Sequence, residues 1–571
     1  MEPKKIGMVA LTTMFVIAAG SSMAQTPLES AAKLTENERF EDASRAIRAI
    51  LAAEPNNGEA WFLLGENYYA NEQLDSAQAA FDRGAKVNPL MPLNAVGLGK
   101  VMQARGKSAD AKLAFEACIA KAIDKSSKTP KPMQANVYRE AAEGLVYGAA
   151  KDPTTALAYI EKAILLNPND AELYIVKGDA LFEQNSRDAS EPMVNYKKAS
   201  ELKAASAKPI ARKAFVYYRA KNFDASITEY DNAITMDPAY APAYRGRAEA
   251  HFYKRNIEQA TADYQKYLDL NKGNLSARVR YAKFLYLTDK YAESLAEITA
   301  LRNAGVNDNT LARIEGYSLA QLGESKRALA VMVEYFRVQP DAEEISADFE
   351  TMGKIYAGLA KGVADSTVTR EGLPTGDLDS LAAGMYVAAA RIDPSKMDLY
   401  SEAATILRKA KMYDMEMRVH QEKIATGNVK SNDYYYLGTA ANKAKQYATA
   451  DSAWAVYVTK QPVIYQGYLG RARANAGLDP EKKTWQAQPY FEEVVRKMKP
   501  EEIVKSPTDA EEAYFYLGFY HFNSTKDMAM AKCWFEKAKA LNTGSFNTTN
   551  INTMLSTKEL KDVKASACEL P

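Results

Sequence analysis

Few side chains in this 571-residue sequence could perform acid–base, nucleophilic or metal chemistry. Its three histidines, His251, His420 and His521, are each separated by more than 100 residues. A metal site or a general base would need such residues brought together with carboxylates. The sequence contains no phosphate-binding loop of the form GxxxxGK, and no serine or cysteine stands in the strand–turn–helix context of a nucleophile. It therefore predicts a non-catalytic protein with no cofactor and no metal.

The elements that must position any functional side chain repeat along the chain. Ile210, Tyr244, Arg278 and Ala312 follow one another at intervals of 34 residues. A period kept over four units indicates an array of similar units that pack on their neighbours. The clearest copy contains Trp61, Leu64, Gly65, Tyr68, Ala77, Phe81, Gly84 and Pro89.

These eight residues fall at positions 4, 7, 8, 11, 20, 24, 27 and 32 of the tetratricopeptide repeat, so the chain resembles that family. The resemblance implies two antiparallel helices per unit and an all-α, right-handed superhelical solenoid of about 14 stacked hairpins. In this register His251 and His521 stand at position 11 and His420 at position 24, which are packing positions. Such a fold favours a protein that holds partners over an enzyme.

Two interruptions divide the array. Pro130 and Pro132 follow a pair of serines and disfavour a continuing helix, and the segment 361–379 is rich in glycine and proline. The predicted organisation is a signal peptide at 1–24, repeats 1–3 at 25–125, a linker at 126–132, repeats 4–9 at 133–342, repeat 10 at 343–396 with an inserted loop at 361–379, repeats 11–14 at 397–545, and a tail at 546–571 with a capping helix.

The first segment predicts export. Lys4 and Lys5 precede an apolar run, and Ser22-Met23-Ala24 places small residues where a signal peptidase reads them. The alternative is a membrane anchor, but roughly 15 apolar residues are fewer than the about 20 that span a bilayer. The alanine–glutamine junction is similar to those of exported Bacteroidetes proteins, which implies a periplasmic protein, with a peripheral position at the outer membrane left open.

The charge balance excludes two classes of partner. The chain has 73 basic and 72 acidic residues, and its leader carries two lysines and one glutamate, so the remainder is neutral. A neutral chain has no long-range attraction for a polyanion. We therefore expect no nucleic-acid partner and no electrostatic binding to membranes. Nothing after the leader is apolar for long enough to cross a membrane, so no direct span is expected either, and the partner is predicted to be a protein or peptide.

The resemblance also implies where a partner binds. In this family the side chains at positions 2, 5, 9 and 12 of the first helix point into a concave groove that contacts peptides. Aromatic rings there would give apolar contact area, and cations would hold carboxylates. The alternative is that the rings pack within their own repeat. The residues at these positions are Phe182, Phe215, Tyr218, Arg245, Phe252, Lys283, Tyr286, Arg313, Tyr317 and Lys354.

Two functions remain open from the sequence. The first is a scaffold or adaptor that docks protein segments as part of a cell-envelope assembly. The second is a glycan or peptidoglycan binder whose groove aromatics stack on sugar rings. The resemblance does not extend to the lysine and asparagine set of the eukaryotic carboxylate clamp.

The three cysteines support separate predictions. Cys118 holds position 27, normally a small residue facing the core, so a buried free thiol is expected. Cys533 lies in the last repeat and Cys568 in a tail whose segment from Leu555 to Val563 has a helical pattern. In an oxidising periplasm a disulfide could fasten this tail over the end of the solenoid. The alternative is two unrelated thiols in a disordered tail.

Overall fold

The computed structural model of the protein describes residues 26–338 and 344–570. The leader predicted at 1–24 lies outside these residues. About 75% of the chain is helical, and the described residues contain no strand. This confirms the all-α prediction. Consecutive helices pair as antiparallel hairpins, and the chain divides into two compact units, with the division passing through the helix at residues 291–303.

Unit 1 comprises residues up to 290 together with 297–306. Within it, each odd-numbered helix from α1 to α13 packs on the next helix, and α1 also packs on α3, α3 on α5, α5 on α7, α7 on α9 and α11 on α13. Its helices are α1 (Pro27–Glu36), α2 (Phe40–Ala53), α3 (Gly58–Ala70), α4 (Leu74–Val87), α5 (Leu93–Ala104), α6 (Ser108–Ile123), α7 (Lys131–Tyr147), α8 (Pro153–Leu166), α9 (Ala171–Gln184), α10 (Ser190–Leu202), α11 (Lys208–Arg219), α12 (Phe223–Met236), α13 (Ala241–Tyr253), α14 (Ile257–Leu270), α15 (Leu275–Leu287) and the second half of α16 (Tyr291–Asn303).

Unit 2 comprises residues 291–296 and 307–571. Hairpins again succeed one another, and a short extra helix, α27, separates the last two pairs. Its helices after α16 are α17 (Asn309–Gln321), α18 (Ser325–Val338), α19 (Ser346–Ala364), α20 (Leu378–Ile392), α21 (Asp398–Lys409), α22 (Tyr413–Ala425), α23 (Ser431–Lys443), α24 (Tyr447–Lys460), α25 (Tyr465–Leu478), α26 (Gln488–Lys497), α27 (Pro500–Lys505), α28 (Pro507–Tyr520), α29 (Met528–Ala540) and α30 (Phe546–Leu555).

The repeat signature works through close helix contacts. The ring of Phe81 is fully buried between Gly65 of its own repeat and Gly97 of the next, and a Cβ atom on either glycine would overlap it. Trp454 occupies the same position between Gly438 and Gly470. A large residue at position 24 therefore joins two successive hairpins, because glycine removes the side chain that would keep the helices apart.

The two interruptions differ in detail from the predicted bounds. A short 3-10 turn at Lys125–Ser127 follows α6, and α7 already begins at Lys131 because proline is compatible with a first helical turn. In the second interruption α19 continues through Gly362 to Ala364, so the connection to α20 spans only 365–377.

The C-terminal tail folds back on the last hairpin. A disulfide joins Cys533 of α29 to Cys568, with 5.7 Å between their Cα atoms, while Cys118 is a buried free thiol as predicted. The predicted helix at 555–563 is wrong, since α30 ends at Leu555 and turns follow. Leu560 is fully buried against α29, which a turn can achieve without continuing the helix.

Candidate functional site

The candidate site is an aromatic cavity of about 450 Å³ in unit 1, formed mainly by α13, α14 and α15. Four of its lining side chains are charged, and the others are aromatic or aliphatic. We call it the aromatic cavity. It is lined by Tyr218, Arg245, Glu249, Phe252, Tyr253, Tyr264, Arg280, Lys283, Phe284 and Leu287.

Local sequence explains why these side chains meet. Gly246 lets α13 approach the ring of Tyr230 on α12, because a Cβ atom there would overlap that ring. Asn274 caps α15 by accepting a hydrogen bond from the amide of Ala277 at 3.1 Å. These two features fix adjacent first helices of successive repeats, so their inward-facing positions come together.

The rings of the aromatic cavity support one another and leave part of their surface free. Tyr218 and Tyr253 have ring centroids 5.7 Å apart, and those of Phe252 and Phe284 are 6.2 Å apart, both in edge-to-face contact. Tyr253 is 57% exposed and stacks on Phe223 with an angle of 7° between the rings. Such preorganised rings can bind an apolar side chain with little loss of conformational entropy.

Cations predominate among the exposed charges of the cavity. Lys283 is exposed and forms no ion pair within the part of the chain that the structure describes. Arg245 pairs with Glu249 at 3.9 Å. Burial raises the pKa of Glu249 above its ordinary value, although Arg245 opposes this shift. Lys283 can therefore bind a carboxylate of a partner at this cavity.

Two side chains from the N-terminal hairpins of unit 1 contact arginines that line the cavity. The carboxylate of Glu38, in the turn between α1 and α2, accepts hydrogen bonds from Arg245 Nη2 and the Tyr267 hydroxyl, both at 2.9 Å. Glu72, in the turn between α3 and α4, accepts one from Arg280 Nη2 at 2.8 Å. Unit 1 thus closes on itself at this cavity.

A second cluster of charged side chains, largely buried, lies on α3, α5 and α7 of unit 1. Lys100 on α5 is 2% exposed, and its ammonium lies 2.7 Å from Glu66 on α3, 2.7 Å from Glu140 on α7 and 3.4 Å from Glu143. These three carboxylates lie within 4.8 Å of one another, a spacing that could hold a metal ion. The ammonium of Lys100 already lies among them, so the protein itself supplies the compensating cation.

This carboxylate cluster has perturbed protonation. Burial and the neighbouring carboxylates of Glu140 and Glu143 raise the pKa of Glu66 to about 7, although Lys100 opposes the shift. Burial also disfavours the charged form of Glu140, but Lys100 and Arg139 outweigh it and lower its pKa to about 2. Lys100 and Arg139 together thus favour the ionised form of Glu140, whereas Glu66 remains sensitive to pH.

The structure brings four predicted binding residues together: Tyr218, Arg245, Phe252 and Lys283 all line the aromatic cavity. Phe215 lies beside it, 6.3 Å from the ring of Tyr218. Tyr286, on α15, is half-buried and does not line the cavity. Phe182 is only 4% exposed and packs with Tyr196 and Val216, so its ring serves packing within the repeats.

The other three predicted residues belong to unit 2 and take part in structural contacts. Arg313 Nε and the Tyr317 hydroxyl donate to the fully buried carboxylate of Asp348 at 2.9 and 2.7 Å. Tyr317 is itself 7% exposed. Lys354 is exposed and pairs with Glu350 at 2.9 Å. Arg313 and Tyr317 therefore connect α17 to α19 instead of presenting a free surface.

Sequence reasoning missed several residues of the cavity. Glu249 stands at position 9, the same position as Lys283, and could have been found had acidic residues been considered. Tyr253 and Leu287 stand at position 13, just outside the positions that the resemblance assigns to the groove. Glu38 and Glu72, which contact two arginines of the cavity, could not be predicted because their hairpins are far away in sequence.

Comparison with known proteins identifies the repeat. Tetratricopeptide repeat family models match residues 34–91, and residues 141–191 and 212–275. Over these residues the chain matches the tetratricopeptide repeat, as the spacing of Trp61, Gly65 and Phe81 indicated.

Individual relatives cover only parts of the chain. The mouse RNA polymerase II-associated protein 3 is 28% identical over 117 residues, which are 20% of this chain and 17% of the mouse protein. Subunit NrfG of the formate-dependent nitrite reductase complex of Escherichia coli O157:H7 is 27% identical over 23% of this chain and 66% of the subunit. The chain spans about a fifth of the length of the first curated relatives that it matches.

A solved structure shows a comparable likeness. The C-terminal part of a TPR repeat-containing protein from Cytophaga hutchinsonii is 27% identical, covers 48% of this chain and 98% of its own, and has a TM-score of 0.33. Across residues 26–338 and 344–570, no helix combines the length and the apolar character needed to span a membrane.

Proposed function

We propose that this protein is a non-catalytic scaffold or adaptor that binds protein or peptide segments on the inner face of its repeats. The aromatic cavity is the observation that carries this proposal. It combines a ring that is 57% exposed, Tyr253, with an exposed cation, Lys283, inside a concave surface. Tetratricopeptide repeats in general act as protein-interaction scaffolds, and this cavity is where such an interaction would be anchored.

We further propose that the protein is exported to the periplasm and acts there in a cell-envelope assembly. The predicted signal peptide supports export. The disulfide between Cys533 and Cys568 supports an oxidising compartment, because disulfides persist in the periplasm and are reduced in the cytosol. Recovery of a chain that begins at Gln25 from the periplasmic fraction is the expected result; an uncleaved chain in the cytoplasmic fraction would contradict it.

The cavity can be tested by affinity purification from cross-linked envelope extract. The variant carrying Tyr253→Ala and Lys283→Glu should lose the proteins that the wild type retains, while its melting temperature stays nearly unchanged. Tyr436→Ala is a matched control, because Tyr436 is a 40% exposed tyrosine in unit 2. Unchanged retention by the cavity variant would show that the partner binds elsewhere.

Glycan binding is the second candidate, and one observation favours it. The ring of Tyr253 lies almost parallel to that of Phe223 and keeps much of its area exposed, which is a geometry that could stack on a sugar ring. Purified protein incubated with peptidoglycan fragments distinguishes the two functions. Retention of fragments that is lost with Tyr253→Ala but kept with Lys283→Glu would favour the glycan over the peptide.

A further inference from the structure

The position of Glu38 relative to the aromatic cavity is unusual. Arg245 is separated from Glu38 by 207 residues and Tyr267 by 229, and both donate to its carboxylate. Glu38 occupies the turn between α1 and α2 with a φ of 55°, the left-handed conformation that Glu72 and Lys221 also adopt in the equivalent turns of later hairpins. This turn directs the carboxylate at a cation that lines the cavity.

Neighbouring contacts join the same two regions. Lys33 pairs with Asp237 at 3.2 Å, Asn37 donates to the same carboxylate at 3.2 Å, and Arg280 holds Glu72. The ion pairs join partly exposed side chains, whereas Asn37 and Tyr267 are buried. The apolar cluster of the first two hairpins, around Ile47 and Leu64, contains no described residue from α12 to α15.

The chemistry of these contacts is that of a bound ligand and not that of a core. A hydrophobic interface between hairpins excludes water and separates only when the fold is disrupted, whereas partly exposed ion pairs contribute little and exchange readily. Burial disfavours the charged form of Glu38, but Arg245 and Tyr267 outweigh it and hold the pKa of this carboxyl below its ordinary value. Glu38 therefore remains an anion that Arg245 can release to water or to another carboxylate.

We infer that Glu38 acts as an internal ligand of the aromatic cavity, which an acidic segment of the partner displaces from Arg245. This inference rests on the proposed binding function and adds its regulation and the chemistry of the partner. The partner segment carries aspartate or glutamate next to an aromatic or aliphatic side chain. The carboxylate takes the place of Glu38 at Arg245, and the apolar side chain contacts Tyr253 and Leu287.

Displacement has a structural consequence within unit 1. When Arg245 turns to the partner, the turn between α1 and α2 loses its strongest contact with α13 and α14. The remaining contacts, through Lys33, Asn37 and Glu72, are each a single ion pair or hydrogen bond. The first hairpin would then separate from α13, and the cavity would become accessible from that side.

The decisive variant is Glu38→Gln, which removes the charge and keeps the shape of the side chain. The matched control is Glu59→Gln, an exposed glutamate on α3. The probe is a fluorescein-labelled decapeptide of alternating glutamate and phenylalanine, compared by fluorescence anisotropy with the same peptide carrying glutamine. Circular dichroism and thermal unfolding check that each variant is folded.

We expect Glu38→Gln to bind the acidic peptide roughly 3 to 10 times more tightly than the wild type, the lower range of couplings between linked events. Glu59→Gln should bind like the wild type, and the glutamine peptide should show no gain. Equal or weaker binding of the acidic peptide by Glu38→Gln would overturn the inference and leave the binding function intact. If neither peptide binds to the wild type or to any variant, the proposed function is overturned together with the inference.

A second measurement follows the hairpin itself. Spin labels on Arg45→Cys in α2 and Lys266→Cys in α14 report the separation of the two regions, since both positions are exposed. The distribution of distances should broaden toward longer values in Glu38→Gln and in the wild type saturated with the acidic peptide. A distribution that is unchanged in both would contradict displacement of the hairpin.

Discussion

The first hairpin and the last one are fastened by different chemistry. A terminal hairpin of a repeat array has no neighbour to cover one of its faces, so each end needs another solution. At the C-terminus the tail packs Ile551 and Leu560, both fully buried, against Phe535 of α29, and a disulfide adds a covalent link. At the N-terminus Lys33 and Glu38 make polar contacts with α12 to α14.

This difference separates a permanent cover from a releasable one. Apolar burial does not depend on competing ligands and a disulfide is broken only by reduction, whereas ion pairs respond to salt, pH and competing ligands. The buried carboxylate cluster around Lys100 in unit 1 also responds to pH, because the pKa of Glu66 is raised to about 7. The predictions below test whether the two ends behave differently.

The largest effect is expected at the C-terminal cover. Ile551→Asp places an unpaired carboxylate in an apolar cluster, which should destabilise α29 by about 3 to 5 kcal/mol. Hydrogen exchange of the α29 amides measures this local stability, because repeat arrays open locally. Asn552→Asp, at the exposed neighbouring position, is the control. Protection of α29 that survives Ile551→Asp would show that the tail does not cover it.

The disulfide should have the next largest effect. Cys568→Ser opens a link that closes a loop of 35 residues, for which about 2 to 4 kcal/mol is expected. The loss should appear in hydrogen exchange of α29 and leave α1 unaffected. Cys118→Ala, which removes the buried free thiol, should not alter exchange in α29. Two free thiols in non-reducing mass spectrometry of the periplasmic protein would contradict the link.

The buried carboxylate cluster around Lys100 should make the stability of unit 1 depend on pH. The pKa of Glu66 is raised from an ordinary 4.5 to about 7, so between these values the unfolded chain loses this proton while the folded chain keeps it. Stability should therefore fall by about 2 kcal/mol as pH rises from 5 to 7.5, and Glu66→Gln should remove most of this fall. Urea unfolding across this range measures it, with exposed Glu59→Gln as the control. Parallel curves for Glu66→Gln and the wild type would refute it.

The smallest effect is expected at the N-terminal contacts. Lys33→Met removes ion pairs to Glu36 and Asp237 that are partly exposed, so it should cost about 1 kcal/mol or less. The loss should shrink further between 50 and 500 mM salt, since salt screens such pairs. Chemical unfolding at both salt concentrations measures it. A larger loss, or one independent of salt, would mean that the first hairpin is held by a core like that of the tail.

Much of the fold could be predicted because its packing is local. Phe81 contacts Gly65 and Gly97, each 16 residues away, so the letters of a single repeat already specify the contact. The same applies to Cys118, whose position within its repeat predicted burial. In both cases the environment of a side chain is set by residues within about one period, and the period is visible in the sequence.

The candidate site could be predicted only in part. The resemblance placed Tyr218, Arg245, Phe252 and Lys283 on the inner face, and they do share one cavity. It assigned Phe182 and Tyr317 by the same rule, yet both are buried. Whether a ring at position 9 or position 12 faces the groove or the adjacent repeat depends on the size of the neighbouring side chains, and the position alone does not specify them.

The sequence by itself determined the hairpins, their number and the chemistry of their cores, because the structure of each hairpin depends on its own residues and on those of the next hairpin. Only the tertiary structure decided that Glu38 meets Arg245 and that Glu72 meets Arg280, each across more than 200 residues. These contacts depend on the small rotation between successive hairpins, summed over the six interfaces from the hairpin of α1 to the hairpin of α13. No single repeat encodes such a sum, since each rotation reflects the packing of a whole interface.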